Sequence, residues 1–223
     1  MRFMILNLFL VLAALAVCSC SDDFSPGIGP SDPGPQPYQW PDTPGKLMEN
    51  FERAYGEMNI TEYWGVLHDD YEFIFIGNTD TWTREDDIQS TTNMFAGMPG
   101  MDPEGEVKAG VLQIAITNLI RQTPWHEVPE DDGEFPDAEY ALYNVTMVFT
   151  LMNGTSTITV DSDQEFYLMS EEVDQGDGTM RSRYYLRGQR DIANGKPSEQ
   201  MSWGGLKMLY YEEGEGRGRS GAP

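Results

Sequence analysis

Two histidines, a large excess of carboxylates and a dense set of aromatic residues are the side chains of this chain that could do chemistry. His68 stands directly before Asp69 and Asp70. An imidazole steadied by a carboxylate is a general base, so His68 and Asp70 are the candidate catalytic residues. The same residues also suit a helix end, where a histidine meets the negative pole of the helix and Asp-Asp makes a solvated turn. The sequence favours that second reading. His126 follows Pro124-Trp125 and precedes an acidic loop holding Glu127, Glu130, Asp131, Asp132 and Glu134, a surface setting. Two histidines so far apart do not make a zinc spacing. Asp161-x-Asp163-x-Glu165 starts like a calcium loop, yet the position that needs glycine is Phe166, and the segment alternates as a strand does. There is no phosphate-binding glycine loop, serine elbow or dinucleotide fingerprint. No metal and no cofactor is implied.

The cysteines speak of address rather than catalysis. Met1-Arg2 is followed by a mostly apolar run to Val17, then Val17-Cys18-Ser19-Cys20. That is a signal peptide over 1–19, ending in a lipoprotein cleavage box with Cys20 as the lipid-bearing residue. Removing the leader takes Cys18 with it, so the mature domain has no thiol for a nucleophile, a disulfide or a soft metal site. The expectation is a cell-envelope protein, anchored to the membrane through lipid on Cys20 and facing the periplasm or exterior. Ser21 after the cysteine favours the outer membrane by resemblance to Gram-negative sorting.

The formal net charge is −23. Nucleic acid is thereby excluded as a partner, because binding it takes clustered cations that displace phosphate counterions. Lying flat on anionic lipid is excluded on the same ground. The charge reads as solubility in an exposed compartment.

The elements that must position the chemistry come next. Residues 20–45 are rich in Pro, Gly, Ser and Asp and read as a semi-rigid tether. Residues 213–223 read as a disordered tail, leaving one domain over 46–212. Leu47, Phe51, Ala54, Tyr55 and Met58 fall at helical spacing. Asn59 and Thr61 can cap a short second helix carrying Tyr63, Trp64 and Leu67, which His68-Asp69-Asp70 stops. Tyr71–Ile76 is strand-like. Thr83 with Asp86 starts a helix in a variant capping box, and Gly97 and Pro99 end it. The period then switches from 3.6 to 2. Gly110–Ile120 alternates around Leu112, Ile114 and Ile116. Ala141, Tyr143, Val145, Met147, Phe149 and Leu151 share one face of the next strand, Asn153-Gly154 turns the chain, and Ile158, Val160, Phe166 and Leu168 return on one face. Gly176-Asp177-Gly178 turns again into Arg181–Asp191. The fold class is α+β, with N-terminal helices packed into the concave face of a curved, mainly antiparallel sheet.

Phe51-Glu52-Arg53-Ala54-Tyr55, Tyr63-Trp64-Gly65-Val66-Leu67, the strand Asp70–Phe75, the helix start Trp82-Thr83-Arg84 and the late strand ending Gln189-Arg190-Asp191 resemble the nuclear transport factor two-like superfamily, the cone-shaped α+β barrel of polyketide-cyclase-like proteins. The resemblance spans roughly residues 46–192. It implies a cone with an internal pocket, and an open sheet that pairs face to face into a homodimer. Its enzymes hold a carboxylate or a His–Asp pair inside the cone, and neither pattern is matched here residue by residue.

The cone would be lined by Tyr63, Trp64, Phe73, Phe75, Trp82, Met94, Tyr143 and Tyr185, with Phe95 and Met147 beside them. Each suits a core position; as a set they are rich enough in aromatics and Met to line a pocket for a small apolar ligand. Trp203, Leu206, Met208, Leu209 and Tyr210 form a further stripe that packs on the domain or on a partner subunit. The reading that results is a binding or scaffolding module. Its alternative is an acid–base enzyme of the isomerase, dehydratase or cyclase type using the same pocket. A buried ionisable group with a perturbed pKa among the cone's aromatics would point to the enzyme.

Overall fold

Thr43 caps the first helix. Its hydroxyl accepts from the Lys46 amide at 3.3 Å, and Pro44 follows in the first turn, where a missing amide hydrogen costs nothing. Helix α1 accordingly runs Pro44–Gly56, burying Leu47, Phe51, Ala54 and Tyr55 as their spacing predicts, while Met58 lies past its end at φ +52°. Asn59 caps α2 (Ile60–Val66) by accepting from Glu62 N at 3.2 Å. In the computed structural model, which describes residues 37–76, 81–129, 133–192 and 201–211, the capping box of α3 (Arg84–Phe95) is complete. Thr83 Oγ1 accepts from Asp86 N, and the Asp86 carboxylate accepts from Thr83 N at 3.1 Å. Helix α4 (Trp203–Leu209) is capped by Ser202, which accepts from Gly205 N at 3.0 Å. The leader, Cys20 and the terminal tail lie outside the described residues.

The strands are β1 (Leu67–Ile74), β2 (Thr81–Thr83), β3 (Gly100–Met101), β4 (Val107–Lys108), β5 (Val111–Arg121), β6 (His126–Glu127), β7 (Glu139–Leu151), β8 (Thr157–Asp174) and β9 (Met180–Ile192). Seven of them form one sheet in the order β2-β1-β9-β8-β7-β5, with β6 also on β7. Among the described strands, only β1 and β9 pair in parallel. This is the expected α+β fold with a curved, mainly antiparallel sheet and helices on its inner face. On β7 the buried positions are Ala141, Tyr143, Val145, Met147, Phe149 and Leu151, the alternation read from sequence. Asn153-Gly154 makes the hairpin: Asn153 Oδ1 accepts from Thr155 N and Ser156 N, and Gly154 sits at φ +70°, where a side chain would be strained.

Three expectations change. Strand β1 starts at Leu67, so His68 and Asp70 are strand residues rather than a helix end and a turn. Leu112 faces solvent because the β5–β7 register shifts between Val111 and Gln113, turning it away from Ile114. The domain also begins earlier than residue 46. Trp40 Nε1 donates to Ser182 O at 2.9 Å, Tyr184 N to Pro41 O at 2.8 Å, and Arg181 pairs with Asp42 at 2.9 Å. The end of the tether is thus clamped to β9, and the compact unit begins at Tyr38.

The main core joins α1 and α4 to the inner face through Phe51, Tyr55, Phe166 and Trp203, whose rings meet at 5.1–5.6 Å. Each such wholly buried side chain contributes on the order of 1.5–3 kcal/mol. A second, smaller cluster forms on the opposite face, where Phe135 and Val128 cover Ile74 and Tyr167. Gly188 makes that possible: a Cβ there would stand 2.2 Å from Phe135 Cε1.

Candidate functional site

The bulged junction of α2 and β1 leaves a groove of about 520 Å³ against β8 and β9. Its walls include Trp64, His68, Asp69, Asp70, Arg84, Glu171, Arg183 and Tyr185. Arg84 lies over the Trp64 ring at 4.3 Å, donates to Trp64 O at 3.1 Å and pairs with Asp69 at 2.9 Å. Arg183 donates to Gly65 O at 2.9 Å and lies between the Trp40 and Tyr185 rings, 5.3 and 4.8 Å from their centres. Both arginines keep a buried Nε with no hydrogen-bond partner among the described residues. Two guanidinium groups face three carboxylates, so the groove is nearly balanced in charge although the chain is strongly acidic.

His68 is fixed from both sides. Nδ1 accepts from the Asp70 amide at 3.1 Å, which leaves the hydrogen on Nε2 to be donated to Glu171 Oε1, also 3.1 Å away. Asp70 is not part of that relay: its carboxylate is 75% exposed and stands 3.9 Å from Nδ1. Neither ring nitrogen has a free lone pair aimed at the groove, so His68 in this arrangement orients Glu171 rather than abstracting a proton.

A second polar assembly lies inside the main core. Asp87, at an inward position of α3, and Lys207, on α4, are both 0% exposed and form an ion pair. Tyr63 donates to Asp87 Oδ1 at 2.7 Å, and Lys207 Nζ also reaches Tyr63 Oη at 3.4 Å. Tyr71 can donate to Asp87 at 3.5 Å or to Gln189 at 3.4 Å. From Gln189 the chain of bonds runs to Gln164 at 3.0 Å, then to Ser162 and Asp191, and Asp191 accepts from Gly204 N at 2.8 Å at the start of α4. Burial weighs most on Lys207 and works against its charge, yet the Asp87 carboxylate beside it wins and holds its pKa above the usual value. Burial, then the charge of Asp87, pushes the Tyr63 and Tyr71 phenols well up. Burial raises Asp191 in spite of the hydrogen bonds from Gln164 and Gly204.

The eight residues expected to line one pocket separate. Tyr63, Phe73, Trp82, Met94 and Tyr143 are closed into the core, and Phe75 packs partly buried against it. Trp64 and Tyr185 lie in the outer groove, Trp64 44% exposed. The expectation that Trp64 and Tyr185 line the cone is therefore corrected. Tyr63 takes the inward position on α2, and adjacent helix residues cannot both face in. His126 is exposed on β6, as expected. The residues that sequence reasoning missed are Asp87, Lys207, Gln164, Gln189 and Asp191. A signal for three of them is present: Ser162 and Gln164 occupy inward positions of β8 between Val160 and Phe166, and Gln189 and Asp191 do so on β9.

Scanned against protein-family models the chain matches none, and it matches none of the curated proteins. Among solved structures it is similar to a conserved protein from Planctomyces limnophilus, at 8% identity over 66% of this chain and 94% of that one, with a TM-score of 0.41. It is similar to an NTF2-like protein of unknown function in nutrient uptake from Rhodospirillum rubrum, at 10% identity over 67% and 96%, TM-score 0.38. It is also similar to hexachlorocyclohexane dehydrochlorinase LinA-type3 from Novosphingobium barchaimii, at 13% identity over 66% and 82%, TM-score 0.40. At these values the chain's own residues must carry the functional reading.

Proposed function

We propose that this protein is a lipid-anchored, extracytoplasmic binding module of the nuclear transport factor two-like type, holding a small hydroxyl-rich molecule in the groove at Trp64 and Tyr185. One observation carries the reading: Arg84, Arg183, His68 and Glu171 are fixed by hydrogen bonds around two aromatic rings in an open groove. Planar donors and acceptors held in place suit paired hydroxyl groups, and a partly exposed indole suits the apolar face of a sugar-like ring. The near balance of charge gives a strongly charged ligand no net attraction. The polar walls replace the expected apolar ligand, whose lining residues are spent on the core.

Titration of the full chain with mono- and disaccharides, followed by calorimetry, tests this. Trp64→Ala should lose binding at least tenfold while melting within a few degrees of the parent, because an exposed cation–π contact is worth only about 0.5–1 kcal/mol. A ligand that binds Trp64→Ala and the parent equally well would place the site elsewhere. The His68–Glu171 contact favours one second reading, acid–base turnover in the same groove with Glu171, oriented by His68, as the base; pH-dependent turnover of a carbonyl or hydroxy compound that vanishes in Glu171→Gln and falls in His68→Ala would select it.

A further inference from the structure

We propose that the interior cluster is a binding site for a primary alkylammonium group, closed in this structure by the chain's own Lys207. The site is built for that group. The Asp87 carboxylate and the Tyr63 hydroxyl take the ammonium hydrogens, and the Phe73 ring lies 4.8 Å from Lys207 Nζ. All of these groups are wholly buried, so the electrostatic attraction is not diluted by water.

The element that delivers Lys207 is held in place by docking: Ser90 Oγ donates to Lys207 O at 2.6 Å, and Trp203, Leu206 and Leu209 are buried against the domain. Helix α4 has seven residues, two of them the adjacent Gly204 and Gly205. That is far too short and too rich in glycine to be helical alone, so its order comes from docking. It is not a strand of the seven-stranded sheet, whose pairing is complete without it. Docking also leaves hydrogen-bonding capacity unused. Trp203 Nε1 is buried without an acceptor among the described residues, its ring 5.1 Å from that of Tyr55. Lys207 therefore answers the charge of the site and not that donor. An incoming amine bearing an oxygen acceptor answers both.

The test uses the full chain in detergent. By amide exchange of the wild-type protein, residues 203–209 should exchange about tenfold or more faster than β7. Phenethylammonium should speed them further, saturably, with β7 still protected. In Lys207→Ala, n-propylammonium replaces the missing Cγ, Cδ, Cε and Nζ. It should raise the melting temperature saturably where 1-propanol does not, and adding Asp87→Asn should abolish the response. Exchange of α4 only together with β7, or equal responses to propylammonium and propanol, would overturn the proposal. The exchange arm needs no variant, so a Lys207→Ala chain that does not fold leaves the proposal open to refutation.

Discussion

Asp87 and Lys207 are charges without any exposed surface, and that condition dictates what the residues around them can be. A lone buried charge is intolerable, whereas a matched pair roughly breaks even against apolar residues of the same size. Removing one partner, as in Lys207→Met, should therefore cost about 3–5 kcal/mol, and Asp87→Leu/Lys207→Met should recover most of it. Urea unfolding of the two variants checks this, and a double variant no better than the single would mean that the pair is not a unit. The pH dependence has a definite sign. The folded pKa of Lys207 lies above the ordinary value of 10.5, so its stabilisation is complete below that value and is lost as pH rises through the folded pKa. Tyr63 and Tyr71, raised above 10.0 by burial, add to the same alkaline loss. The double variant should keep the tyrosine part and lose the lysine part. The buried ionisable group that would mark an enzyme is present, yet in this closed arrangement it reaches no solvent, which is why the open groove carries the proposed function.

At the scale of elements, what was legible in the sequence was local. Thr83 and Asp86 are three residues apart, Asn153-Gly154 is a dipeptide, and the β7 alternation is a period of two; each fixes its element without help from elsewhere. The Asp87–Lys207 pair joins residues 120 positions apart, and nothing near either one announces the other. The face of α2 was equally hidden, since two turns of helix do not decide between Tyr63 and Trp64 until the core chooses. The tether's end is a third case. Its prolines gave the expectation of an extended chain, while Trp40 supplies one large apolar ring and one indole donor that find β9 only in three dimensions. A chain truncated to begin at Gly45 loses that clamp and also the Thr43 cap of α1, whose removal alone costs about 0.5–2 kcal/mol. It should still melt cooperatively, several degrees below a chain beginning at Pro37, by calorimetry. Equal melting temperatures would mean that residues 37–44 contribute nothing to the fold.

In the proposed reading, the whole molecule is a domain held off a surface by a lipid anchor. From Cys20 to Pro37 the proline-rich chain can reach about 50 Å if extended, and Trp40 then fixes where it joins the domain, beside the groove lined by Arg183. A net charge of −23 repels the domain from anionic headgroups, so in this proposal nothing but the lipid on Cys20 holds it to the membrane. Two acyl chains anchor stably and one does so only marginally, which makes attachment an all-or-none property of that cysteine. Cys20→Ser should therefore move the protein from the membrane fraction to the soluble fraction. Its melting temperature should equal that of the detergent-solubilised parent, because the substitution lies well before the first residue of the compact unit, Tyr38. Fractionation at low and at high salt checks both points. A variant that remains with the membrane at either salt concentration would mean that a retained leader or another segment anchors the chain, and the lipoprotein reading would be withdrawn.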